Sequence, residues 1–154
     1  MTASRLGPTP EPTSEAVTRS MKGNRARDTT PELTLRRLLR GAGYPGYRLH
    51  WGNAPGHPDV AYPGRKIAVF VNGCFWHRCP HCQPSVPKAH SEFWRRKFEL
   101  NAERDVRKQR ELESAGWTVF TAWECRLRDD PQREVRAIIE ALRATATPAR
   151  KASA

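Results

Sequence analysis

The strongest pattern in the chain is an unbroken apolar run, Ile67-Ala68-Val69-Phe70-Val71, of strand length. A continuous run, as opposed to an alternating one, is how a central strand buried on both faces reads. Pro63-Gly64 before it reads as a turn. Two shorter extended candidates precede the turn, residues 47–51 and 59–62, separated by the turn-rich Gly52-Asn53-Ala54-Pro55-Gly56. Further upstream, Leu35, Leu38, Leu39 and Ala42 fall at the i, i+3, i+4, i+7 spacing of a helix with one buried stripe. Thr29 or Thr30 can cap its start, Pro31 fits its first turn and Gly43 can end it. Downstream, Ser91 is expected to cap a long charged helix reaching about Ala115, with Gly116 as its stop. A strand over 117–123 follows, and Asp130-Pro131 opens a last helix through Arg143. The order helix, three strands, helix, strand, helix predicts an α/β or α+β sheet flanked by helices, and excludes an all-α DNA binder.

The ends are unlike the middle. Residues 1–24 carry Pro8, Pro10 and Pro12 among Ser, Thr and Gly without periodicity, and residues 144–154 read as a flexible basic tail. The 154 residues suit one domain, although hydrophobic content is only 38%, partly because of those ends. Lys and Arg total 27 against 16 Asp and Glu, a net charge of +11. Solubility does not require so dominant a sign, so the charge points to an anionic partner, nucleic acid before anionic membrane. No apolar run approaches the ~20 residues that span a bilayer, and the N-terminus lacks the apolar stretch of a signal peptide. The expectation is therefore a cytoplasmic protein.

In a reducing compartment, four cysteines suggest a metal or catalysis before disulfides. Cys79 and Cys82 form a C-x-x-C pair, Cys74 is near enough to supply a third thiolate, and Cys125 follows an expected strand end. Four thiolates complete a tetrahedral shell, which reads as structural Zn2+. A Cys3His shell in which His81 replaces Cys79 or Cys82 is the alternative.

Beside the cysteines stands Gly73-Cys74-Phe75-Trp76-His77, at the end of the buried strand. His77 is a candidate general base, because imidazole changes protonation near neutral pH. Asp59, in Pro58-Asp59 after the tight turn, is a candidate ligand for a divalent cation held against a phosphate. Plainer roles compete: Asp59 as a turn residue, Glu32 as the partner of Thr29 in a capping box, Trp94 and Phe98 as core, and the clusters Arg95-Arg96-Lys97 and Arg107-Lys108-Gln109-Arg110 as a solvated helix face. The single sign of those clusters favours phosphate contact.

Taken together, these residues resemble the very-short-patch-repair (Vsr) mismatch endonucleases. Gly-Cys-Phe-Trp-His at 73–77 carries the resemblance, with Pro58-Asp59, Glu92-Phe93-Trp94, Asn101-x-Glu103-Arg104-Asp105, Gly116-Trp117 and Trp123-Glu124-Cys125 in order. Arg27-Asp28-Thr29-Thr30-Pro31-Glu32 is similar to the segment before the family's first core helix. The likeness covers residues 19–143, with 19–28 as a DNA-contacting arm and 1–18 as an extension. It implies a restriction-endonuclease-like PD-(D/E)xK mixed sheet, and a Mg2+-dependent endonuclease that nicks one strand of double-stranded DNA next to a T:G mismatch. Asp59 and the backbone carbonyl of Val71 would hold Mg2+, His77 would be the catalytic histidine and Glu32 would support the site. Cys74, Cys79, Cys82 and Cys125 would fall on or next to the zinc positions. Phe75, Trp76 and Trp94, from a hairpin and a helix start, would wedge into the duplex, with Met21 entering from the opposite groove and Arg95 and Arg96 on phosphates. A monomer in the nucleoid, with mismatch-repair proteins as further partners, completes the expectation.

Three departures stand out. Strand 67–71 lacks the acid-x-lysine half of the signature, Asn72 stands where some members have a second active-site histidine, and the Cys79–Cys82 spacing differs from members with a histidine there. Two other classes compete: a restriction-type enzyme that cuts both strands, and a non-catalytic zinc-bearing DNA-binding protein.

Overall fold

A computed structural model of the chain describes residues 27–145; most of the arm, with Met21, and the tail beyond residue 145 lie outside the described residues. Helix α1 (Thr30–Gly41) begins at Thr29, whose hydroxyl accepts the Glu32 N–H while the Glu32 carboxylate accepts the Thr29 N–H, the reciprocal capping box its sequence foretold. It ends at Ala42, followed by Gly43 at φ +96°, a backbone conformation that suits glycine. Strands β1 (Arg48–Leu49), β2 (Val60–Tyr62) and β3 (Ile67–Asn72) pair antiparallel in order, and β4 (Thr118–Trp123) adds to β3 in parallel. The result is a four-stranded mixed sheet flanked by helices, with β3 central as its apolar run required.

The expected strand over 47–51 shrinks to two residues. Main-chain pairing continues through His50 to Asp59 and Trp51 to Pro58, but His50 takes φ +46°, which ends the extended conformation. Two short helices went unforeseen. α2 (Cys74–His77) is a single turn, so the aromatic segment is helical where a hairpin was expected. α4 (Glu124–Asp129) follows β4 directly, ahead of the last helix α5 (Pro131–Ala144), which Asp130 caps. The long helix α3 runs Ser91–Ser114, but Ser91 is its first residue and not its cap. His90 holds the cap position in a left-handed conformation without a side-chain bond.

Alternation along β3 divides the core. Ile67 and Val69 face a layer built from Leu35 and Leu39 of α1, Leu127 of α4, and Val135, Ile138 and Leu142 of α5. Ala68 and Phe70 face the other way, onto Leu112 of α3 with Ala54, Trp51 and Trp117. The parallel β3–β4 pair needs a crossover, which α2 and α3 supply, and this carries α3 across the second face. None of the described helices is long and apolar enough to cross a membrane.

Leu39 is fully buried and Leu33, on the same helix, is 51% exposed. Leu39→Ala should therefore cost about 2–5 kcal/mol in urea unfolding, whereas Leu33→Ala stays within about 0.5 kcal/mol. Equal effects would show that α1 does not pack as described.

Candidate metal centre and active-site cleft

Two chain crossings meet at the C-terminal ends of β3 and β4. Their register sets Asn72 beside Trp123, so the residues that follow, Cys74 in α2 and Cys125 in α4, start next to each other. The sulfurs of Cys74, Cys79, Cys82 and Cys125 all lie within 4.8 Å of one another, and those of Cys79 and Cys125 are 3.7 Å apart. Four thiolates around one zinc at about 2.3 Å stand about 3.8 Å from each other, so the set fits zinc closely. Main-chain N–H groups support the sulfurs: Cys125 donates to Cys74 Sγ and His81 to Cys79 Sγ, each at 3.3 Å. Burial pushes the Cys74 and Cys125 thiols up. Burial acts on Cys79 too, but N–H groups of Cys82 and His81 outweigh it and hold that thiol below its ordinary range. His81 is outside the four-sulfur set. Its ring is exposed, with Nδ1 3.1 Å from the Arg126 guanidinium.

On the far side of α2 a cleft of about 420 Å³ opens. Asp59, Val71, Asn72, Phe75, Trp76 and His77 line it, with Glu32, Asp105 and Lys108. Asp59 stands one residue before β2, and its Oδ2 accepts the Val71 N–H at 2.8 Å, where β3 has run past the end of its partner. Burial is the main force that pushes Asp59 up to about 6, and the Glu32 carboxylate adds to it against the Val71 bond. Two carboxylates crowded in one cleft are the hard oxygen donors that a divalent cation prefers. His50, to which sequence reasoning gave no role, stands between them, 3.6 Å from Asp59 Oδ1 and 4.0 Å from Glu32 Oε2. Glu32 thus serves both the helix cap and the cleft.

His77 lies at the end of α2, and Asp105 Oδ2 is 2.6 Å from its Nδ1. Asp105 stands in the motif Asn101-x-Glu103-Arg104-Asp105, which by itself assigns it no function. The signal that finds it is the inner stripe of α3, in which Trp94, Phe98, Asn101, Asp105, Lys108 and Leu112 recur at alternating steps of four and three. Asn101, buried on that stripe, donates to the Trp76 carbonyl at 3.0 Å and so ties α2 to α3.

The aromatic residues form one cluster. Phe75 meets Trp76, Trp94 and Phe98 at ring distances of 5.1, 5.4 and 5.3 Å. Trp94 is only 7% exposed and Phe98 6%, whereas Phe75 and Trp76 are half-buried. Trp94 is therefore the floor of the cluster, and Phe75 and Trp76 are its accessible members. Arg95 and Arg96 point away from this floor into solvent. The cluster Arg107–Arg110 is split: Arg107 and Arg110 are exposed, but Lys108 turns inward to the cleft.

Comparison with known proteins identifies the family. A family model described as DNA mismatch endonuclease Vsr matches residues 12–83. The chain is 40% identical over 116 residues to the type II nicking enzyme V.XorIIP of Xanthomonas oryzae, covering 75% of this chain and 85% of that protein. It is 35% identical over 140 residues to the type II nicking enzyme V.NaeI of Lentzea aerocolonigenes, covering 88% and 82%. With the DNA mismatch endonuclease Vsr of Escherichia coli it shares 37% identity over 125 residues, 80% of this chain and 79% of that protein. With identities and coverage of this order, the chain belongs to the Vsr family of DNA mismatch endonucleases.

Proposed function

We propose that this protein is a Mg2+-dependent endonuclease that nicks one strand of double-stranded DNA next to a T:G mismatch. The observation that carries the reading is the single cleft in which Asp59 and the His77–Asp105 pair stand beside the accessible rings of Phe75 and Trp76. A net charge of +11 suits a DNA partner, and relatives named as mismatch or nicking endonucleases support the reaction. The cytoplasm, where a bacterial chromosome lies, is the expected place of action.

The chemistry is hydrolysis of one phosphodiester. Asp105 fixes one ring nitrogen of His77, which leaves the other to take a proton from the attacking water. The Asp105 carboxylate then stabilises the imidazolium that forms. Asp59 would hold magnesium together with the Val71 carbonyl, which leaves the strand on the same edge as the Val71 N–H bonded to Asp59. When bound, magnesium supplies polarisation of the phosphate and stabilises charge on the leaving oxygen. Glu32 supports this end of the cleft, and Asn72, buried at the tip of β3, offers hydrogen bonds but no general base. The four cysteines would hold a structural zinc.

Recognition rests on deformability. A T:G wobble stacks less well than a matched pair, so separating it costs less of the few kcal/mol that an unstacked step normally requires. Phe75 and Trp76 are the rings placed to enter such a step, with Trp94 bracing them from beneath. Arg95 and Arg96 would contact phosphates, and Met21 would reach the duplex from the arm.

Matched and T:G duplexes offered to the purified protein with Mg2+ test the reading: one strand of the T:G duplex alone should be cut. Asp59→Ala should abolish cutting with mismatch binding largely kept, and His77→Ala should lower the rate by about 10²–10⁴-fold. Cutting of both strands of an intact site, or undiminished turnover in either folded variant, overturns the assignment.

Metal analysis should find one zinc per chain, and strong chelation should unfold the domain, since structural zinc supplies on the order of 10 kcal/mol to such folds. Less than about half an equivalent in folded protein counts against the site.

A pH dependence follows from Asp59. Its pKa rises from 3.8 to about 6 on folding, so the folded chain resists its ionisation. The stability linked to its proton is present below about pH 4 and lost as pH rises through about 6. Asp59→Asn should therefore stabilise the magnesium-free protein by about 1–3 kcal/mol at pH 8, by roughly half as much at pH 5 and by little at about pH 3. A gain independent of pH would show that the carboxylate is not the strained group.

A further inference from the structure

β3 contains no charged residue, so the strand that would carry the acid-x-lysine half of the nuclease signature leaves the cleft without that cation. A lysine reaches the cleft from another element. Lys108 falls on the inner stripe of α3, one turn beyond Asp105 and one before the fully buried Leu112. It lines the same cleft as Asp59 and His77, with its Nζ 5.9 Å from the centre of the Phe70 ring. The loop before Asp59 makes way for it. A Cβ on Gly56 would lie 2.8 Å from both Cβ and Cγ of Lys108, and Gly56 has φ +75°, so glycine is needed twice over. Among the described residues no ion pair engages Lys108. An ammonium held by its own packing inside a nuclease cleft, without a carboxylate partner, is suited to an anion brought from outside.

We propose that Lys108 is a catalytic residue of the nicking reaction, its ammonium contacting a non-bridging oxygen of the phosphate that is cut. This rests on the nicking function proposed above. The helix α3 thereby supplies the positive charge that β3 lacks, aimed at the phosphate as negative charge builds in the transition state. Arg107 and Arg110 are exposed on the other side of the helix, away from this cleft.

The test begins by mapping the phosphate cut by the parent protein in a T:G duplex. A second duplex then carries a neutral methylphosphonate at that position alone. Binding of both is measured with zinc-loaded, magnesium-free parent protein and with Lys108→Met, whose thermal stability and zinc content are checked against the parent. Lys108→Met should weaken binding to the natural duplex by roughly 5–20-fold and to the methylphosphonate duplex by less than about 2-fold. Lys108→Arg, which keeps the charge, should recover most of the affinity, and single-turnover nicking by Lys108→Met should fall about 10²-fold or more. Equal losses on the two duplexes would place Lys108 on a different phosphate, and no loss on either would make it a packing residue; each overturns this proposal alone. A parent protein that cuts neither strand overturns the wider reading together with it.

Discussion

Parallel pairing of β3 with β4 is the constraint on which the rest of the molecule depends. Because the two strands run the same way, both chains leave the sheet at one end, and Asn72 and Trp123 exit side by side. Cysteines separated by 51 residues of chain, Cys74 and Cys125, are thereby made neighbours close enough for a main-chain N–H of one to reach the sulfur of the other. The same exit turns Phe75, Trp76 and His77 into a single helical turn set between the cysteine cluster and the cleft. Since β2 stops three residues short of Asn72, the edge of β3 is open there, and Asp59 closes it by accepting the Val71 N–H. Cysteine cluster, aromatic cluster and acidic cleft are consequences of one register.

The two candidate metal centres hold their charge differently. The cysteines are knit into a compact shell by main-chain donors, and burial resists ionisation of Cys74 and Cys125 until a cation compensates. The cleft is lined by Asp59 and Glu32, with His50 set between their carboxylates and only one strong main-chain bond to Asp59. A closed shell suits permanence, whereas a half-satisfied, partly open one suits exchange of ligands. Glu32 bridges stability and chemistry, since one carboxylate caps α1 and burdens Asp59.

Much of this was legible in the sequence, and the lapses have physical causes. The run 67–71 announced a central strand because burial on both faces leaves no polar position in it. The capping box at Thr29 and Glu32 is encoded within four residues, so local reading sufficed. The fourth cysteine could be paired with the other three because four sulfurs close a tetrahedral shell whatever the intervening chain. The cap of α3 was misplaced because His90 holds it in a left-handed conformation with no side-chain bond, whereas Ser91 is the residue whose hydroxyl ordinarily caps a helix. The two short helices were invisible because four and six residues hold too few turns for periodicity to register. Asp105 was overlooked, and Lys108 was read only as one of an outward basic cluster, for another reason: a helix dense with charge reads as a solvated face, and only the spacing from Trp94 to Leu112 marks both as inward.

That spacing also limits how the chain can change. α3 touches the aromatic floor through Trp94 and Phe98, the histidine through Asp105, the cleft through Lys108 and the core through Leu112. Each residue of an α-helix advances the side chain by about 100°, so one residue inserted or lost between Phe98 and Leu112 would swing everything on one side of the change by that angle. Regular α-helical geometry could not then keep both halves of the stripe facing inward. The outer face of α3 is therefore free to vary in composition, but its length between these anchors is fixed, as the distance between bearings fixes a shaft.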